Sequence, residues 1–159
     1  MLDSAVMVED HVPLPVEEML PGLFRIEVPL PQSPLRSINS YVIPEGDGGL
    51  VIDTGMQRPE CEEVLRAGLA ALGVDPARAR YFITHIHADH SGLVTALAGT
   101  ETEVLMGRVE IALLEHFASR ERFLSMLAER GRMFGLEGEE VEAAAARHPG
   151  LRYSPTSYP

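Results

Sequence analysis

Residues 84 to 92 read Thr84-His85-Ile86-His87-Ala88-Asp89-His90-Ser91-Gly92, so three imidazoles and one carboxylate follow directly on an apolar run, Tyr81-Phe82-Ile83. A fold that accepts this segment must end a buried strand there and turn the chain sharply. In extended backbone, residues two apart project to the same side, so His85 and His87 can converge on one ion. The turn that follows can aim Asp89 and His90 at a second, neighbouring position. Imidazole nitrogens with a carboxylate oxygen suit Zn²⁺, and Fe or Mn in a mixed nitrogen and oxygen site are the alternatives, since no thiolate enforces zinc. A solvated histidine-rich turn is the bland explanation. It fits a lone histidine better than four potential ligands at this spacing.

The chain before this cluster reads as a β-meander. Phe24, Ile26 and Val28 alternate with Arg25 and Glu27, the period of a strand with one buried face, and Pro29, Pro31 and Pro34 stop it. Ile38 to Ile43 and Leu50 to Ile52 are predicted strands joined by Glu45-Gly46-Asp47-Gly48-Gly49, which has hairpin chemistry. After Asp53-Thr54-Gly55, a helix is predicted with Pro59 in its first turn, an apolar face through Cys61, Val64, Leu65, Gly68, Leu69 and Leu72, and a stop at Gly73. The strand Arg80 to Thr84 then completes a strand, helix, strand unit, which places its two strands parallel in one sheet. Ser91 is expected to cap a short helix through Leu97. Glu103 to Met106 reads as another strand, and Arg108 to His148 as helical with breaks near Ser119 and Gly135.

Length and composition bound the rest. A chain of 159 residues, 45% hydrophobic, accommodates one domain with a real core. Its 24 acidic against 13 basic side chains, a formal charge of −11, argue against general attraction to nucleic acid or anionic membranes. The acidic, Pro-broken start from Met1 to Glu18 is unlike a secretory signal, and no stretch reaches the roughly 20 apolar residues of a membrane span. The single cysteine, Cys61, excludes an internal disulfide framework and suits a reducing, cytoplasmic setting. Its place on the apolar helix face favours packing over nucleophilic catalysis.

Thr84 to His90, in the form Thr-His-x-His-x-Asp-His, resembles the signature of the metallo-β-lactamase superfamily. Asn39-Ser40-Tyr41-Val42-Ile43 and Val51-Ile52-Asp53-Thr54-Gly55 strengthen the likeness, which runs over residues 23 to 107. The resemblance implies an α/β (α+β) fold, the αββα sandwich, of which only the N-terminal half is evident, followed by a helical segment. It implies His85 and His87 at a first metal site, Asp89 and His90 at a second, and two Zn²⁺ ions that activate water. Asp89 would also orient that water or take its proton. Asp53 would support the ligand loop, although accepting backbone hydrogen bonds at a tight turn explains it equally well.

The domain expected from this is one unit over residues 1–159, with a lead-in at 1–22, a β-rich part at 23–107 and a helical part at 108–148. The family draws further ligands from a C-terminal half, and no Gly-His-rich loop follows here. His148, in Arg147-His148-Pro149-Gly150, is a poor substitute that helix termination accounts for; His116 and His11 are not ligand candidates. The chain is therefore expected to be part of a longer protein, or to need a partner chain, to complete both sandwich and site. The expected activity is hydrolysis of a small ester, thioester or lactone, with a small-molecule substrate, no nucleic acid and no membrane. The rival readings are a nuclease of the same family and a non-catalytic metal-binding or interaction fragment.

Overall fold

The computed structural model describes residues 16–117 and 119–148. Its centre is a six-stranded sheet in simple sequential order: β1 (Val16–Leu20), β2 (Leu23–Pro29), β3 (Ser37–Glu45), β4 (Gly48–Ile52), β5 (Ala79–Ile83) and β6 (Val104–Met106). The first four strands pair antiparallel, and β4, β5 and β6 run parallel. The β3–β4 turn is two residues long, closed by the Glu45–Gly48 pair, and Gly46 takes the left-handed φ of +62° at its first position.

The crossover between β4 and β5 is α1 (Pro59–Ala71), which starts on Pro59 as expected and ends before Gly73, whose φ of +70° lets the chain leave the helix. Cys61, Leu65, Gly68 and Leu69 are buried against the sheet. Gly68 sits over Ile26: a Cβ there would lie 2.7 Å from the Ile26 side chain, so the helix rests closer to β2 than any larger residue permits. The core combines these residues with Ile26, Val28, Val42, Val51, Tyr81 and Ile83 from one sheet face and Leu93, Val94 and Leu97 from the short helices after the histidine segment. At about 25 cal/mol per Å² of apolar surface removed from water, this cluster is the main source of stability.

The opposite sheet face carries an apolar patch over β3 to β6, bordered by Arg25, Glu27 and Arg80. Arg25, Tyr41, Ile52, Phe82 and Leu105 are register partners in one row across five strands, flanked by the Ile43–Leu50 pair. Ile43, Phe82 and Leu105 are 43%, 39% and 37% exposed. Among the described residues there is one sheet with a helical layer on one side, which is half of an αββα sandwich.

Two local expectations need correction. The described end of the lead-in holds a strand that was not expected, the edge strand Val16–Leu20, turned into β2 by Pro21-Gly22, with Gly22 at φ +79°. Ser91 does not cap a helix: α2 (Ala88–Ser91) ends on it, and α3 (Val94–Leu97) follows separately. Beyond β6, the helical region breaks where expected, into α4 (Arg108–Phe117), α5 (Arg120–Met133) and α6 (Glu139–Ala146). The Ser119 hydroxyl accepts from the Arg122 amide to cap α5. Met133 and Phe134 stand exposed at the end of α5. Among the described residues, no helix is long and apolar enough to cross a membrane.

Candidate metal centre

Parallel strands β4 and β5 end side by side, and the loops leaving them form the site. The β4 loop begins with Asp53, which is 5% exposed and adopts a left-handed φ of +58°. An Asp tolerates that region better than most residues. The conformation turns its carboxylate toward the β5 loop, where it accepts three hydrogen bonds: from the Thr84 amide at 2.9 Å, the Thr84 hydroxyl at 2.7 Å and His90 Nδ1 at 2.7 Å.

These contacts fix imidazole tautomers. The single Thr84 hydroxyl proton goes to Asp53 Oδ2, so Thr84 Oγ1, 3.1 Å from His85 Nδ1, serves that ring as an acceptor. His85 then carries its proton on Nδ1 and presents a bare Nε2. His90 donates Nδ1–H to Asp53 and likewise keeps Nε2 free when neutral. One carboxylate thus orients two of the three histidines, directly in one case and through Thr84 in the other.

The protonation equilibria agree with this network. Burial alone would raise the Asp53 carboxyl, but hydrogen bonds from His90 and from the amide and hydroxyl of Thr84 outweigh it, holding the group below the usual carboxylate range. Burial, then repulsion from His90 and His87, lowers the His85 imidazole and favours its neutral, ligating form. For His90, burial pulls down, yet the Asp53 hydrogen bond and the charges of Asp53 and Asp89 raise the ring overall.

The backbone of the loop is tied down separately. Thr54 receives His90 twice: its amide and its hydroxyl donate to the His90 carbonyl at 2.7 and 2.9 Å. The buried Ser91 hydroxyl lies 3.1 Å from the carbonyls of both Ile86 and His87. Gly92 is where the two loops touch. A Cβ there would sit 2.4 Å from the Ala88 carbonyl oxygen and 2.7 Å from both the Gln57 nitrogen and the Gly55 oxygen, all of them backbone.

The expected ligands are brought together. The His85 ring lies 4.7 Å from His87 and 4.0 Å from His90, centroid to centroid. The Asp89 carboxylate is 3.7 Å from His90 Nε2. Among the described residues, no three His, Cys, Asp or Glu side chains stand as a group able to hold a metal ion. The donor chemistry, imidazole nitrogens with an adjacent carboxylate, fits divalent metals, but it is a gathered donor set and not a closed cage.

The remaining candidates separate clearly. Cys61 is buried, its Sγ 3.1 Å from the Pro29 carbonyl, and burial raises its thiol, as a packing residue requires. His148 packs edge-on against Phe123 of α5 at 5.5 Å, and burial first and the charge of His87 second depress it. His116 belongs to α4, and His11 lies outside the described residues. Sequence reasoning misses Thr84 and Ser91 as contributors. Thr84 is the more findable of the two, because a hydroxyl adjacent to a ligating histidine is a ready acceptor for its second nitrogen.

Comparison with known proteins bears on this geometry. A family model described as the metallo-beta-lactamase superfamily matches residues 33–149. The chain is similar to an atrochrysone carboxyl ACP thioesterase of Cryptosporiopsis sp. (strain 8999), 28% identical over 135 residues that cover 82% of this chain and 38% of that protein. It is also similar to a lactamase-like protein of Pestalotiopsis fici, 29% identical, with 82% and 39% covered. Among solved structures, a metallo-beta-lactamase family protein from Thermus thermophilus superposes with a TM-score of 0.67 at 26% identity, covering 89% of this chain and 46% of that one. The fold recurs in a beta-lactamase domain protein from Burkholderia ambifaria, with a TM-score of 0.58 at 22% identity, covering 94% and 44%. The chain spans less than half the length of each of these proteins. Because the family model runs from the loop before β3 through the histidine loop and all three later helices, the chain belongs to the metallo-beta-lactamase superfamily.

Proposed function

We propose that this chain is the N-terminal part of a metal-dependent hydrolase acting on a thioester, with small esters and lactones as the neighbouring substrate classes. The observation that carries the reading is the Asp53 carboxylate holding His90 directly and His85 through Thr84, contacts made at Nδ1 of each ring, which leave Nε2 for an ion when the ring is neutral. A surface turn has no need of such an arrangement. The thioesterase names among the relatives favour the thioester.

In this reading His85 and His87 belong to one metal position and Asp89 and His90 to another. Divalent ions there, taken to be zinc, would supply Lewis acidity toward the substrate carbonyl and make water a competent nucleophile near neutral pH. The chain's own contribution is orientation. Asp53 holds His90 in one tautomer, Thr54 fixes the His90 carbonyl, and Asp89 is the carboxylate on the loop able to orient water or take its proton. The apolar row Tyr41, Ile52, Phe82 and Leu105 is the seat of a second sheet, supplied by the remaining length that the relatives possess or by a partner chain. A small-molecule substrate and a reducing, cytoplasmic setting complete the reading.

The test is steady-state hydrolysis by the intact protein of an acyl thioester, an aryl ester, a lactone, a cephalosporin and a phosphodiester. The thioester should give the highest kcat/KM, and His87→Ala should lower it by about 100-fold or more. Preference for the phosphodiester would replace the reading with a nuclease, and activity indifferent to His87→Ala would remove the metal from it.

A further inference from the structure

The backbone between His85 and His87 is held from outside the sheet. β5 and β6 pair as far as Ile83 with Met106, after which β6 ends, and the chain passes through Gly107 into α4 at Arg108. The Ile86 amide, three residues further along, therefore meets no strand. It donates instead to Glu110 Oε2 at 2.9 Å, from the first turn of α4. Glu110 is half-buried, and its Cγ lies 3.8 Å from where a Gly107 Cβ would be, so its stem packs on the strand-to-helix junction. A carboxylate in a helix's first turn is also favoured by the helix dipole.

We propose that Glu110 is a positioning residue for the His85 and His87 pair. The His85 and His87 rings lie 4.7 Å apart across a single intervening residue just past the end of β5, so the orientation of both depends on the peptide planes on either side of Ile86. The Glu110 carboxylate fixes the first of those planes where the β-ladder no longer can. It complements Ser91, which holds the Ile86 and His87 carbonyls from the other direction. Asp53 orients the rings of His90 directly and His85 through Thr84, and the Glu110 contact constrains the backbone beside His87. The part of this inference that concerns metal rests on the ligand assignment made above, whereas the backbone part does not.

The experiment uses the intact protein with Glu110→Ala and Glu110→Gln. Gln retains an acceptor oxygen for the Ile86 amide and removes only the charge. In the metal-free proteins, Glu110→Ala should speed hydrogen exchange at the Ile86 amide by about tenfold or more, because an exposed amide regains exchange through local opening. The Tyr81 amide, bonded to the Glu103 carbonyl in the sheet, should be unaffected. Zinc affinity by chelator competition should fall by about tenfold in Glu110→Ala, with Glu110→Gln staying within about threefold of the parent. Unchanged Ile86 exchange in Glu110→Ala would overturn the proposal. So would equal acceleration at Tyr81, which would make Glu110 a general stabiliser, or equal loss of zinc in both variants, which would make its charge the active property. A parent protein that binds no zinc would sink the ligand assignment alone, and the exchange measurement would still decide the role of Glu110.

Discussion

Replacing Asp53 by Asn exchanges one carboxylate oxygen for an NH₂ group and tests the centre of the site. The carboxylate accepts three hydrogen bonds and donates none. An Asn side chain can keep its oxygen on the Thr84 amide, but its NH₂ then faces the Thr84 hydroxyl and His90 Nδ1, which both donate in the parent. The hydroxyl can rotate and accept. His90 can accept only by moving its proton to Nε2, the nitrogen assigned to metal. Losing acceptors in a site where Asp53 is 5% exposed leaves a donor unmet, at a cost of about 1–3 kcal/mol in folding stability. The tautomer switch should weaken metal binding by about 10–100-fold. Urea unfolding of the metal-free protein reads the first effect, and chelator competition reads the second. Long-range ¹⁵N NMR of the histidines identifies the tautomer directly. If Asp53→Asn bound metal as tightly as the parent while His90 still carried its proton on Nδ1, Asp53 would not be what orients this ring.

Two further outcomes follow from packing. Gly92→Ala drives a methyl into three backbone atoms at 2.4–2.7 Å and should destabilise the protein by about 3 kcal/mol or more in chemical denaturation; a loss below about 1 kcal/mol would mean the two loops separate freely. Phe82→Asp places a charge in the middle of the apolar row. If a second layer covers that face in the intact protein, its thermal unfolding should show a loss of about 2 kcal/mol or more, whereas a change within about 0.5 kcal/mol would show the face to be solvated.

Local signals made much of this structure legible in advance. Alternation named β2, Pro59 and Gly73 bracketed α1, and the strand, helix, strand order implied the parallel β4–β5 pair. The edge strand Val16–Leu20 escaped because four of its five residues are exposed and acidic or unpatterned, although Pro21-Gly22 was a readable turn. Ser91 misled because Ser before an apolar run resembles a cap, while here its hydroxyl serves two upstream carbonyls. The four clustered candidate residues, His85, His87, Asp89 and His90, were visible because they are neighbours in the chain. Their support was not: Asp53 meets His90 across 37 positions and Glu110 meets Ile86 across 24, and only the folded sheet brings either pair together.

The left-handed turn at Asp53 bears on binding thermodynamics. Because that conformation aims one carboxylate at Thr84 and His90 as the sheet forms, the rotamer freedom of His85 and His90 is already reduced before any ion arrives. An ion bound as proposed would meet side chains whose ordering entropy was lost during folding, so more of the coordination energy would appear as affinity. Relaxing the turn would separate these two quantities: the sheet could remain folded while the histidines, free to rotate, bound the same metal more weakly.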